Sequence, residues 1–99
     1  MENKPDNWVV VKVAKDLYKV LAGWSGGYLD GDRWRLNSGI SEVKEDGEYW
    51  LFISKSGSVY KCHKEGYGVR INTAHVLKQV LEIDGTELID EETDWMKLV

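Results

Sequence analysis

Short runs of β-branched and aromatic residues, each closed by a turn signal, fill most of this chain, and such runs mark strands. Residues 8–13 read WVVVKV and residues 17–24 read LYKVLAGW, with Ala14, Lys15 and Asp16 as a polar break between them. The two are expected to pair as a hairpin. Apart from Lys12 and Lys19, both faces of each run are apolar. That predicts central strands with a helix over one face and partial cover on the other. A glycine-rich segment follows. Within it, residues 33–37 form a short predicted strand on which Trp34 and Leu36 point one way and Arg33, Arg35 and Asn37 the other. Gly39 permits a bend before a strand at 40–44. Asp46-Gly47 then marks a two-residue hairpin turn, since both central positions of such a turn require positive φ. The most apolar run, YWLFIS at 49–54, turns at Ser56-Gly57 into a strand at 58–63. Residues 40–63 therefore read as a three-stranded meander.

Gly66 and Gly68 flank Tyr67 in a loop that leads to a short extended run at 69–71. Thr73 or Asn72 is placed to cap a helix by accepting a backbone N–H bond. Val76, Leu77, Val80 and Leu81 then share one stripe of a helix predicted over 74–83, which Asp84-Gly85 ends. Residues 86–99 hold Leu88, Ile89, Trp95, Met96 and Leu98 among acids, so this tail is expected to pack back on the domain or against a second subunit. The expected fold is α+β: a strongly twisted antiparallel β-sheet or small partly open barrel of five or six strands, with one C-terminal α-helix. The 99 residues make one domain, a compact core over 7–85 followed by an acidic tail.

Composition narrows the function classes. Five Trp and five Tyr are more than a core of this size usually holds, so some rings are expected at an interface or in a binding site. The net charge of −4 is uneven. Residues 1–81 carry twelve Lys/Arg against ten Asp/Glu, whereas residues 82–99 carry Lys97 against seven acids. A body so nearly balanced argues against duplex nucleic acid as partner, which calls for a strongly basic face. The single Cys62 excludes an internal disulfide and leaves a thiolate zinc site short of ligands. No apolar run has the length of a membrane span or a signal-peptide core, so a cytoplasmic protein without membrane contact is expected.

Candidate chemistry concentrates in residues 23–39, GWSGGYLDGDRWRLNSG, with five glycines, two tryptophans, a tyrosine and two arginines. Backbone N–H groups of Gly26 and Gly27, with the Ser25 hydroxyl, can form a concave seat for an anion. Arg33 and Arg35 share a strand face and can reach one phosphate-bearing ligand. Trp24, Tyr28 or Trp34 can stack on a base, at about 1–3 kcal/mol per base. The competing reading is a long hairpin loop whose rings fill the core and whose arginines pair with Asp30 and Asp32. The spacing fits neither the P-loop nor the dinucleotide fingerprint. Lys61 on the run after Ser56-Gly57, and Arg70 near the helix start, are further ligand candidates. Each has its plain alternative, a solvated strand edge and a loop packed on the helix. Catalysis is less supported: Cys62 and His63 are neighbours on a strand and point to opposite faces. Asp30 and Asp32 alone make a poor metal motif. No cofactor is expected.

At 17–40, LYKVLAGWSGGYLDGDRWRLNSGI, at 56–62, SGSVYKC, and at Tyr67-Gly68-Val69-Arg70, the chain resembles a group of small proteins of unknown function from tailed bacteriophages. The likeness spans roughly residues 7–72. It implies a small accessory protein acting in the bacterial host cytoplasm. Such proteins counter host defences by sequestering a nucleotide immune signal or by plugging a host protein. The resemblance carries over no binding or catalytic residue. Joined with the residues above, it sets the expectation: a non-catalytic binder of a small nucleotide, acting as a homo-oligomer because so short a chain encloses a ligand better with a second copy. The alternative is an inhibitor of a host protein that uses the aromatic surface or the acidic tail.

Overall fold

The computed structural model describes residues 2–15, 17–24, 33–69, 71–83 and 85–98, with Arg33, Ile71 and Asn72 described in their backbone only. Its strands are β1 (Glu2–Asn3), β2 (Asn7–Ala14), β3 (Leu17–Trp24), β4 (Arg33–Leu36), β5 (Ile40–Asp46), β6 (Tyr49–Ser54), β7 (Val59–His63) and β8 (Glu87–Leu88). One helix, α1 (Ile71–Leu81), lies between β7 and β8. The fold is mixed α+β, and the strands make two four-stranded sheets, ordered β1-β7-β6-β5 and β4-β3-β2-β8.

The β-branched runs form the long antiparallel hairpin β2–β3, with Val10 opposite Val20 and Trp8 opposite Ala22. Alternation gives this hairpin two buried faces. Trp8, Val10, Val20 and Ala22 meet Ile40, Val43, Phe52, Tyr60 and Cys62 of the other sheet, and Trp95 closes the cluster. On the opposite face Val9, Val11 and Leu21 are also buried. There α1 sits close: a Cβ placed on Gly23 would lie 2.7 Å from the Thr73 Oγ1. Trp8 anchors the centre, its indole Nε1 donating to the His63 carbonyl at 2.7 Å and its ring meeting Tyr67 edge-on at 4.8 Å.

Four expectations need correction. The strands divide between two sheets and do not close into a barrel, because the chain crosses sheets at Asn37–Gly39, where Asn37 donates its backbone N–H to Val20 while Lys55 donates to Gly39. The helix is not C-terminal: the chain returns through β8, beside β2, to a short 3-10 turn at Trp95–Lys97. The helix also starts earlier, at Ile71, so 69–71 is no strand and Thr73 is a buried residue of the first turn rather than its cap. At the β5–β6 turn Asp46 pairs with Tyr49, which makes Gly47 and Glu48 the two loop residues, with Gly47 at φ 60°.

Candidate ligand-binding site

The two outer strands β1 and β4 hold the site. β1 runs parallel to β7, with Asn3 beside Tyr60. β4 extends the other sheet, with Arg33 opposite Trp24, Trp34 opposite Gly23 and Arg35 opposite Ala22. Between them opens a pocket of about 220 Å³ lined by Glu2, Asn3, Lys4, Trp24, Trp34 and Arg35.

Each wall has a local cause. The Trp24 indole donates to the Lys4 carbonyl at 3.0 Å, and the Asp6 N–H donates to the Gly23 carbonyl at 2.9 Å, which ties the segment after β1 to the end of β3. Asn3 Nδ2 donates to the Val59 carbonyl at 3.5 Å. Trp34 is 50 % exposed, so much of its ring faces solvent instead of filling a core. Arg35 donates to the Tyr60 hydroxyl, and Tyr60 is itself buried. Burial pushes the Tyr60 pKa up and outweighs the lowering by Arg35, so the phenol stays neutral. Glu2 is the one acid of the described lining. Lys4 and Arg35 give this described lining two cations against one carboxylate, a balance that favours an anion.

Of the residues singled out from the sequence, Trp24, Trp34 and Arg35 meet in this pocket. Arg33 takes its place on β4 by its backbone. Ser25, Gly26, Gly27, Tyr28 and Arg70 lie outside the described residues, as do Asp30 and Asp32. Lys61 does not line the pocket. Its ammonium stands 4.7 Å from the centre of the Tyr49 ring and 3.6 Å from Asp46 Oδ2. Glu2, Asn3 and Lys4 were not visible as site residues, since nothing in a polar leading segment announces parallel pairing with a strand nearly sixty positions on.

A second, larger cavity of about 410 Å³ opens near Asp6, Glu65, Gly66 and Tyr67. Its described lining holds two acids and no cation, a poor match for a phosphate. Tyr67 there is structural: its hydroxyl donates to the Ile89 carbonyl and its ring packs on Trp8 and Trp95. Cys62 is fully buried, and burial raises its thiol pKa well above the ordinary value, which suppresses the thiolate. His63 lies on the other face of β7, its Nδ1 accepting from the Glu65 N–H. Among the described residues no cluster of three or more His, Cys, Asp or Glu could hold a metal ion, and no helix is long and apolar enough to cross a membrane. No protein-family model, curated protein or solved structure matches the chain.

Proposed function

We propose that the chain is a non-catalytic binding protein that captures a small phosphate-bearing nucleotide in the pocket between β1 and β4. The residue content of this pocket carries this reading. Two tryptophans, an arginine and a lysine line a single hollow, and the more exposed indole, that of Trp34, belongs to the outermost strand. Stacking would hold the base on Trp24 and Trp34, while Lys4 and Arg35 would balance phosphate charge. The volume sets the scale. At about 220 Å³ it falls below the roughly 300–1,000 Å³ usual for small-molecule sites, so it grips one end of a nucleotide and leaves the rest to another surface. A second copy of the chain is the proposed source of that surface. In the biological setting proposed, a phage accessory protein in the host cytoplasm removes a nucleotide immune signal.

Titration calorimetry with nucleoside monophosphates, dinucleotides and cyclic nucleotides tests the proposal. Trp34→Ala should weaken binding about 10- to 100-fold, as loss of one stacking ring does, with little change in thermal stability because the ring is half exposed. If the unmodified protein takes up no nucleotide at physiological salt, the reading fails. A host-protein inhibitor then becomes the better one, with exposed Trp34 and the acids of 87–94 as its contact surface.

A further inference from the structure

Lys4 has two surroundings. On one side it lines the pocket, and on the other its ammonium stands 5.5 Å from the centre of the Tyr49 ring. Lys61 stands over the same ring at 4.7 Å. The fold brings them together. Asn3 is level with Tyr60 in the parallel pair β1–β7, Lys4 and Lys61 are the residues that follow them, and both ammonium groups stand over Tyr49. Tyr49 reaches the same place from the far side of β7, across from His63. Two ammonium groups thus share one aromatic ring at the edge of the pocket, and like charges in such proximity repel unless an anion joins them. Lys4 has no ion-pair partner among the described residues. Lys61 has Asp46 at 3.6 Å, but that carboxylate is 62 % exposed, and an exposed pair of this kind is held weakly enough to be exchanged for a ligand.

We infer that Lys4 and Lys61, seated on Tyr49, form a second anion subsite continuous with the pocket, and that the ligand carries two separated phosphate groups. This rests on the nucleotide reading above and extends it. One phosphate lies by Arg35 and Lys4, and the other crosses β1 to Lys4 and Lys61. The subsite also accounts for Lys61, which belongs to no other cavity described here and keeps only 22 % of its side chain exposed.

The probes are adenosine, adenosine 5′-monophosphate and adenosine 3′,5′-bisphosphate, each titrated into the full chain at two salt concentrations. The bisphosphate should bind about tenfold or more tightly than the monophosphate, with the steeper salt dependence. Lys61→Gln should remove that advantage and leave monophosphate affinity within about twofold. Asp46→Asn, which frees Lys61, should increase the preference; a merely structural role for Lys61 would not produce this. Circular dichroism checks that each variant is folded. Equal affinity for the two phosphates, or equal loss of both in Lys61→Gln, overturns the second subsite while nucleotide capture stands. If none of the three probes nor any other nucleotide binds, both proposals fall.

Discussion

Asn37 is almost out of reach of water, at 4 % exposed, and its side chain bonds to a strand of each sheet. Its Oδ1 accepts from the Val20 N–H on β3 at 2.9 Å, and its Nδ2 donates to the Ser54 hydroxyl at the end of β6 at 3.2 Å. Asn37→Ala strands a buried donor on β3 and leaves Ser54 without this partner. We expect it to lower the unfolding free energy by about 1–3 kcal/mol, read from urea denaturation. Tyr67 makes the second residue-scale case. Its pKa is pushed up to about 12, chiefly by burial, with Asp90 and Glu91 raising it further and a backbone hydrogen bond at Val10 working against them. In the unfolded chain the phenol titrates near 10. Folding therefore retains the proton, its contribution is complete below about pH 10, and stability falls as pH rises toward 12. Tyr67→Phe should flatten that part of the alkaline denaturation curve, and an unchanged slope would refute the assignment.

Where β2, β3 and α1 meet, Gly23 has closer neighbours than any other described glycine. A Cβ at Gly23 would fall 2.4 Å from Asn7 Oδ1 and 2.7 Å from Thr73 Oγ1, and both neighbours are buried. Gly23→Ala should destabilise by about 1–3 kcal/mol, measured as a lower melting temperature. The backbone at this glycine imposes no such cost, so the clash alone decides the sign. What the sequence could reveal follows from the same physics. Hairpins such as β2–β3 and β5–β6–β7 show themselves through local alternation and turn glycines. Strands β1 and β8 are two residues long and exist only because a distant partner offers an edge. Thr73 looked like a helix cap because a hydroxyl before an apolar stripe normally is one, but here it fills the space that Gly23 leaves. The site was legible to the same extent. Rings and Arg35 stand in one segment, whereas Lys4 reaches them through a pairing that no local pattern encodes.

At the scale of the whole molecule, Trp95 determines whether the core is closed. It is 2 % exposed and packs against Trp8, Phe52 and Tyr67 at centroid distances of 5.5, 5.8 and 5.8 Å. Asp94 starts its short turn by accepting from the Met96 N–H. Trp95→Ala should cost about 3–5 kcal/mol, near the total stability of a small domain, and equilibrium unfolding should show it as a large drop in midpoint. The acidic stretch, whose apolar residues called for packing on the domain or on a second subunit, thus serves the interior through Trp95. Its other part has a duty at the sheet margin. β8 occupies the flank of β2, with Val11 beside Leu88 and the Ile89 N–H donating to the Val10 carbonyl at 2.9 Å. An uncovered flank on so apolar a strand would invite another molecule to add itself there. β8 itself carries Glu87, and Asp90, Glu91 and Glu92 follow it in the chain, so the strand that fills this flank belongs to the most acidic stretch of the sequence. With β8 seated there, the apolar edge of β2 is closed to strand addition by another chain at Val11 and Lys12.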